Sequence, residues 1–309
     1  MQDQDHTALP DLSGLNPEEW LDELAAIGTQ EGFHEPLGPH HRAVFIDRGD
    51  TLLVSFQSRE EIAEDPSGRP AGFATLAAHG WSQLVVVSDG DTWFRAPEVC
   101  DFFDKLTDDG FLDEFETVLF FGAGPGGYAA AAFSVSAPGA AVLALQPQAT
   151  LAPDITEWDM RFRAHRRIDF SSRYGYAPDM LDAADRAVVL YDPNIAEDAM
   201  HSALFHRENV ARYRLPFMGD RLLNDLKKMR ILVPMLQALA DKSLNRQTFG
   251  QIARARRNHT PYLRRLLGAV DARRREDLAL LLCRNVVSRL SAPRFRRRLR
   301  AMEATAKAS

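Results

Sequence analysis

The sequence predicts an α/β fold with a mostly parallel sheet and helices on both faces. Short apolar runs rich in β-branched and aromatic residues alternate along the chain with longer runs of helical spacing. One of these apolar runs, residues 117–121, stops at a glycine cluster, and an alanine-rich run with good helix propensity follows at once. Such a strand, turn and helix is where an α/β protein places its ligand.

The elements follow from local patterns taken in chain order. Asn16 and Pro17 start a helix with an apolar face, and Gly28 is expected to close it. Gly80 and Gly110 end two further helices, and buried strands are short runs bounded by turn residues. The predicted strands span residues 42–47, 52–57, 83–88, 117–121, 141–145, 187–191 and 210–215. The predicted helices span residues 17–27, 69–79, 97–109, 125–136, 198–205, 221–240 and most of 246–290.

Three regions are expected in the chain of 309 residues: an N-terminal tail and helix (1–35), the α/β domain (36–230) and a basic helical region (231–309). From residue 242 onward there are 18 Lys/Arg and 4 Asp/Glu, so this tail carries +14 and the preceding chain −20, for a net charge of −6. We expect the tail to contact an acidic partner or its own acidic body. Arginines neutralising the body are the preferred interpretation, with helices packed by leucines at 263, 266, 267, 278, 281 and 282.

The compartment predicted is the cytoplasm. The two cysteines, Cys100 and Cys283, are far apart and form no disulfide framework. The N-terminal segment has no basic region followed by an apolar stretch, and no run reaches 18 apolar residues, so neither a signal peptide nor a transmembrane segment is expected. Residues 1–15 are expected to be unstructured.

The glycine turn after residue 121 fits the nucleophile elbow, G-x-S-x-G, with Gly122 first and Gly126 last. Gly124 then stands where a hydrolase has its nucleophile, and it supplies neither hydroxyl nor thiol. The backbone N–H that follows a nucleophile normally donates to the oxyanion, but Pro125 has no N–H. The sequence therefore predicts that the turn is retained while the catalytic nucleophile is absent.

The same turn also fits G-x-G-x-x-G, through Gly122, Gly124 and Gly127. Nucleotide-binding versions place an acid at the end of the next strand, where this chain has Gln146. A third interpretation is that the glycines allow a helix to pack closely on the sheet without any ligand. The backbone N–H groups of Gly126 and Gly127 could bind an anion at the helix N-terminus.

The order of elements resembles the α/β-hydrolase fold, whose triad runs nucleophile, acid, histidine along the chain. The chain is similar to the bacterial branch whose elbow reads G-x-S-x-G-G-Y, here GAGPGGY, over about residues 40–230. Further matches are Pro147-Gln148, Tyr191-Asp192-Pro193, and Asp198 with His201. The resemblance implies that Asp192 matches the triad acid and that Asp220 replaces the histidine base. A long excursion after residue 146 is then a cap over the site.

These observations predict an α/β-hydrolase-like protein that has lost serine-triad catalysis and binds a small ligand, with anions among the candidates, or a partner at the elbow. The candidate catalytic residues are Asp192, Asp220 and His201. The candidate ligand-binding residues are Gly122, Gly124, Gly126, Gly127 and Gln146. His201 is expected to pair locally with Asp198, and four arginines at 161, 163, 166 and 167 could close over an anion. Asp89, Asp91 and Trp93 could contribute to the pocket.

Three alternatives stay open. Another group, from His201, His206, Ser88 and Asp220, could have taken over catalysis, or the glycines could bind a nucleotide. The least favoured is phosphoadenosine phosphosulfate reductase, because the chain lacks an S-G-G-x-D-S loop and a cysteine-containing tail, and Cys283 lies in an apolar helix stripe. No cofactor or metal is expected, since His201 and His206 miss the i, i+4 spacing of a helical ligand pair. The basic runs, interleaved with Tyr262 and Phe295, could contact nucleic acid or an anionic membrane surface, but neither is the expected partner.

Overall fold

The computed structural model describes residues 10–308 of the chain. Its eight strands form one sheet in the order β1-β2-β4-β3-β5-β6-β7-β8, in which β2 is antiparallel to β1 and β4 and the other neighbours are parallel. The strands are β1 (Gly32–Leu37), β2 (His41–Ile46), β3 (Thr51–Ser58), β4 (Ser82–Ser88), β5 (Thr117–Ala123), β6 (Ala141–Leu145), β7 (Arg186–Tyr191) and β8 (Val210–Arg214). The predicted fold class, an α/β fold with a mostly parallel sheet of α/β-hydrolase type, is confirmed.

Helices cover both faces of this sheet. In chain order they are α1 (Pro17–Glu31), α2 (Arg59–Ala63), α3 (Phe73–His79), α4 (Pro97–Asp108), α5 (Pro125–Phe133), α6 (Pro153–Thr156), α7 (Ala177–Met180), α8 (Ala196–Leu204), α9 (Leu222–Lys228), α10 (Leu232–Ala240), α11 (Arg246–Ile252), α12 (Thr260–Ala272), α13 (Glu276–Arg289) and α14 (Pro293–Ala308). None of them, within residues 10–308, has the length and apolar character needed to cross a membrane.

Alternate residues of each central strand enter different cores, as the period of a strand requires. Phe120 of β5 packs with α4 and α5 on one face, whereas Leu119 and Phe121 pack with α9, α10 and α11 on the other. A smaller cluster joins α1 and α3 to β2 and β4. Residues 232–253 are therefore part of the packing on the sheet, while the predicted division of the chain at residues 35 and 230 stays a prediction.

The N-terminal region differs from its prediction in three ways. Helix α1 begins at the predicted Asn16 cap, which forms a capping box, but it runs through Gly28 to Glu31. A Cβ at Gly28 would lie 2.7 Å from the Phe33 carbonyl oxygen, so glycine lets α1 approach the sheet closely. Strand β1 was not predicted, because its side chains are mostly exposed or half-buried. Leu12, expected to be unstructured, is buried against α1, and residues 1–9 lie outside the described part.

The C-terminal helices α12, α13 and α14 pack around a separate apolar cluster that contains Leu263, Leu267, Cys283 and Phe295. The predicted packing is right for Leu263 and Leu267 and wrong for Leu278 and Leu281, which are exposed. Burial in this cluster raises the pKa of the Cys283 thiol, and its side chain is not accessible.

Candidate functional site

The turn after β5 has the backbone of a nucleophile elbow. Gly124 has φ 51° and ψ −120°, a conformation that L-residues rarely adopt, and α5 begins at the next residue, Pro125. The Gly124 N–H donates to the Leu145 carbonyl at 2.8 Å, and its own carbonyl accepts from the Tyr128 N–H at 2.9 Å. These bonds connect the elbow to the end of β6 and to the first turn of α5.

The flanking glycines are required by close backbone contacts. A Cβ at Gly122 would lie 2.1 Å from the Gly126 carbonyl oxygen, and one at Gly126 would lie 2.2 Å from the Phe56 carbonyl oxygen. A Cβ at Gly124, in contrast, would meet no atom within 4 Å. The elbow thus keeps its geometry and leaves open the space that a nucleophile side chain would fill.

A crevice of about 500 Å³ opens in front of the elbow. It lies at the carboxyl ends of the parallel strands, where the chain turns to opposite sides of the sheet after β3 and β5, and α/β proteins bind ligands at such a switch point. Gly124, Gly126 and Gln146 line it, whereas Gly122 and Gly127 do not. A Cβ at Gly127 would lie 2.9 Å from the Leu145 carbonyl oxygen, so this glycine serves the packing of α5 on β6.

Asp192, the residue that matches a triad acid, does not line the crevice. Its buried carboxylate accepts from the Gly219 N–H at 2.7 Å and from the backbone and side-chain N–H groups of Asn194 at 2.9 and 2.8 Å. Asp192 therefore holds the loop after β8 against the end of β7. Asp220, next in that loop, is exposed and lines the crevice.

Gln146 connects four parts of the site through its side chain. Its amide nitrogen donates to Asp198 Oδ2 at 2.6 Å and to the Gly219 carbonyl at 3.1 Å, and its amide oxygen accepts from the Leu222 N–H at 3.2 Å. The residue has φ 48°, uncommon for a residue with a Cβ, and little of it is exposed. Because its donors and acceptor are already used, Gln146 is a support for the crevice wall.

Arg161 reaches the crevice from the excursion after β6. Its guanidinium donates to Asp198 Oδ1 at 2.6 Å through Nη1 and to both Asp159 oxygens through Nε and Nη2. Both carboxylates are buried, while about a third of the Arg161 side chain, 32%, is exposed. These bonds use three of the five N–H groups of an arginine, so one on each Nη remains for a ligand. The arginines at 163, 166 and 167 do not line the crevice.

His201 is fully buried and does not line the crevice, and its catalytic role stays a prediction. Its Nδ1 accepts from the Ala149 N–H at 3.1 Å, so Nε2 carries the proton and donates to Asp159 Oδ2 at 3.0 Å. The predicted pair with Asp198 is wrong, because both ring nitrogens have other partners. Burial alone would raise the pKa of Asp159, but the hydrogen bonds from His201 and Arg161 outweigh it and hold that pKa well below the ordinary range.

The residues proposed for relocated catalysis lie partly in the crevice and partly outside it. Ser88 and Asp220 line the crevice, while His206 is exposed and does not. In the loop after β4, Asp91 lines the crevice, Asp89 pairs with Arg59, and Trp93 is buried against Gln148. The functional roles of these residues, and of Asp192 and Gln146, stay predictions.

Two features of the crevice were not found from the sequence. Glu61, at the start of α2, lines the crevice, and burial raises the pKa of its carboxyl to about 7 against the opposing effects of Gln57 and Lys227. Thr92 lines it too, and its Oγ1 lies 2.7 Å from Nε2 of the buried His41. His41 comes from β2, far from Thr92 in the chain, and no local pattern joins them.

His41 itself is unusual among the buried groups near the crevice. Its Nδ1 is buried without a hydrogen-bond partner in the described chain. Burial, with a smaller effect of His40, lowers the pKa of His41 to about 4, so the ring is neutral at pH 7. The adjoining Trp93 and Phe94 have φ 50° and 56°, two consecutive left-handed residues at the crevice edge.

The walls of the crevice are acidic. Six carboxyl groups line it, against two guanidinium groups, those of Arg161 and Arg221. The carboxyl residues are Glu60, Glu61, Glu64, Asp91, Asp198 and Asp220. Glu64 is paired with Arg221, and Asp198 with Arg161, so the remaining charge is negative.

The sheet order is that of an α/β-hydrolase-like fold. No family model matches the sequence, and a search of curated proteins finds no match. Among solved structures, the chain is similar to a carboxyl esterase 2 from Tuber melanosporum, at 13% identity over 69% of this chain and 84% of that chain, with a TM-score of 0.45. It is also similar to an esterase from Pyrobaculum calidifontis, at 14% identity over 73% and 90%, with a TM-score of 0.44.

Two further similar structures are of other proteins. One is the Glycosylation Associate Protein (Gap123) complex from Streptococcus agalactiae, with 12% identity and a TM-score of 0.44 over 66% of this chain, which spans 45% of that chain. The other is a capsule O-acetyltransferase of Neisseria meningitidis serogroup A, with 9% identity and a TM-score of 0.42 over 68% of this chain and 99% of that chain. These likenesses concern the fold alone.

Proposed function

We propose that this chain is an α/β-hydrolase-like protein that has lost serine-triad catalysis and binds a small polar ligand in the elbow crevice. One observation carries the proposal: Gly124 has a nucleophile's backbone conformation, and its missing side chain leaves open space in a crevice of about 500 Å³. A site of this volume is in the range of small-molecule pockets.

The loss of triad chemistry is supported at three positions. Gly124 has no nucleophilic atom, Pro125 cannot donate to an oxyanion, and Asp220 cannot take a histidine's place as the general base that also returns the proton. Loss of a single oxyanion donor alone typically costs about 100- to 1,000-fold in rate. The remaining Asp192 is occupied by Gly219 and Asn194, which accounts for its presence without catalysis.

The charge of the crevice favours a neutral or cationic polar ligand over an anion. Six carboxyl groups line the crevice against two guanidinium groups. Glu61 is only partly ionised near pH 7, but the remaining charge still repels anions, and Arg161 is already shared by two carboxylates. Its free N–H groups and the α5 N-terminus suit the hydroxyl or carbonyl oxygens of an uncharged ligand. The nucleotide alternative is less well supported, because Gly127 packs on β6 and Gln146 offers no free group to a ribose.

Thermal unfolding with three probes tests this proposal: glucose, choline and inorganic phosphate. Ligands that bind the folded state raise Tm with concentration. We expect glucose or choline to raise Tm and phosphate to have no effect beyond that of an equal ionic strength of chloride. Gly124→Leu should abolish the rise by placing an isobutyl group in the crevice. Gly139→Leu is the matched control, since Gly139 also has positive φ, 87°, and open space, and does not line the crevice. A preference for phosphate would contradict the proposed ligand class.

A second candidate function, group transfer or hydrolysis by a relocated group, is favoured by the Thr92–His41 hydrogen bond. A hydroxyl within 2.7 Å of a neutral imidazole is the arrangement of an activated nucleophile, and Glu61 could act as a general acid or base near pH 7. A fluorophosphonate probe and mass spectrometry test this candidate. Labelling at Thr92 that is lost in His41→Gln would establish it, and absence of labelling would leave the binding function.

A further inference from the structure

The unit formed by α12, α13 and α14 carries a strong positive charge that the rest of the protein does not neutralise. Only a few of its basic side chains form ion pairs, among them Arg265 with Asp225 and Arg298 with Asp271. Between residues 246 and 300, many exposed arginines have no carboxylate partner in the described chain. They are Arg246, Arg254, Arg257, Arg264, Arg273, Arg274, Arg275, Arg294, Arg296, Arg297 and Arg300. Lys242 pairs with Asp185 and Arg265 with Asp225 of the acidic body, and for the other basic residues the expected neutralisation stays a prediction.

Part of this charge is concentrated at one end of the unit. Arg273, Arg274 and Arg275 form the exposed connection between α12 and α13. Two residues earlier, Asp271 contributes to a depression of about 240 Å³ between α12 and α14. Arg294, Arg297 and Arg298 surround that depression, with Leu267 and Ala301. A depression with three guanidinium groups and one carboxylate has a net positive charge and suits a phosphate group.

Two exposed apolar side chains lie in the first turns of α13, close in the chain to Arg273–Arg275. Leu278, in the first turn of α13, is 46% exposed, and Leu281, one turn later, is 61% exposed. Both are large hydrophobic side chains that no part of the described chain covers. We call Arg273–Arg275 and these two leucines the basic-apolar surface.

The combination of arginines and exposed leucines favours anionic lipid over nucleic acid as the partner. Single-stranded nucleic acids stack bases on exposed aromatic side chains, but Phe295 is buried and Tyr262 is partly covered by the Arg256 guanidinium. Exposed leucines flanked by arginines are what an interfacial helix presents to anionic lipid headgroups. The charge of the body, about −20, would be repelled by the same bilayer, so binding would also orient the molecule.

We propose that the basic-apolar surface docks this chain on an anionic phospholipid bilayer. The arginines of the connection contact headgroups, and Leu278 and Leu281 enter the headgroup–acyl boundary. Glu276 and Asp277, in the first turn of α13, weaken but do not cancel this attraction. The inference is independent of what the elbow crevice binds.

Sedimentation of the full chain with vesicles tests the proposal. One set contains equal parts of phosphatidylcholine and phosphatidylglycerol, and the other contains phosphatidylcholine alone. We expect binding to the first set only, with steep weakening as salt is raised. The triple variant R273Q/R274Q/R275Q should bind on the order of 100-fold more weakly. The variant L278S/L281S should also bind more weakly, on the order of tenfold, with its salt dependence unchanged.

The control removes three positive charges from the acidic body instead, in R163Q/R167Q/K105Q. It should bind vesicles as the original chain does, and circular dichroism should show that all variants are folded. Equal binding to both vesicle sets, or equal loss in the control, would overturn the proposal. Tighter binding of a double-stranded oligonucleotide than of phosphatidylglycerol vesicles, unaffected by L278S/L281S, would assign the surface to nucleic acid instead.

Discussion

Restoring a hydroxyl to the elbow by Gly124→Ser tests whether the turn is intact but chemically empty. A Cβ at this position meets no atom within 4 Å, so the substitution adds no steric clash. Its cost is the strain of a non-glycine residue at φ 51° and ψ −120°, on the order of 1–3 kcal/mol. Gly126→Ser is a sharp comparison, because its Cβ would lie 2.2 Å from the Phe56 carbonyl oxygen and the backbone would have to move.

Urea unfolding measures these costs. Gly124→Ser should lower the midpoint with an unchanged slope, and Gly126→Ser should cost more or prevent folding. If the two variants were equally destabilised, the open space at Gly124 would not describe the protein in solution. Ester hydrolysis by Gly124→Ser should stay at background, because Pro125 still lacks an N–H and the loop after β8 carries Asp220 in place of a histidine base.

Activity should first appear when the missing parts are supplied together. Adding Pro125→Met and Asp220→His gives the elbow a backbone donor and a base in the loop that Asp192 holds through Gly219. Hydrolysis of an aryl ester should then exceed background, and a further Asp192→Asn should lower it again. Labelling of the unmodified protein by a fluorophosphonate at Ser88 or Thr92 would refute the reasoning, since the nucleophile would then have moved.

Three other predictions follow from the same structure. Burial raises the pKa of Glu61 from 4.5 to about 7, so the folded chain holds this proton more tightly than the unfolded chain. The unfolding free energy should therefore fall by up to about 3 kcal/mol as pH rises from 4.5 to 7. Glu61→Gln should remove this pH dependence in urea titrations. Gln146→Ala should cost roughly 2–4 kcal/mol in the same assay, because it leaves the buried Asp198 carboxylate and the Leu222 N–H short of partners. Truncation before residue 260 should leave a cooperative thermal transition, whereas truncation before 246 removes Phe249 from the core and should not.

The sequence predicted the fold well where local patterns agree with burial. The glycine turn, the buried strands and the helices that follow them carry their own start and stop signals. Strand β1 was missed because GFHEPL has neither an apolar run nor strict alternation, and its pairing with β2 is a long-range contact. The predicted helix end at Gly28 is wrong, because this glycine lies inside α1 and lets the helix pack closely on the sheet. A lone glycine does not distinguish these two uses.

The site was predicted less completely, for a related reason. Gly124, Pro125 and Asp220 stand next to recognisable motifs, so their departures can be seen in the sequence. The Thr92–His41 contact and the raised pKa of Glu61 arise only when distant segments meet. The pairing of Arg161 with Asp159 and Asp198 also arises only in the folded chain. Because of it, Arg161 contributes little net positive charge to the crevice. The anion that the arginines of the excursion suggested stays a prediction.

The residues that match the α/β-hydrolase pattern and those that depart from it differ in what the fold requires of them. Asp192 and Gln146 are buried. Asp192 accepts from the Gly219 and Asn194 N–H groups, and Gln146 accepts from the Leu222 N–H. Leaving one of these donors unpaired would cost roughly 1–3 kcal/mol. Gly124 and Asp220 face the crevice, where no buried hydrogen bond depends on a side chain. If selection for hydrolysis ends, stability still holds the first group in place and leaves the second free to change. A preserved acid without a nucleophile is therefore the pattern expected of a retained scaffold, and Asp192 by itself does not argue for catalysis.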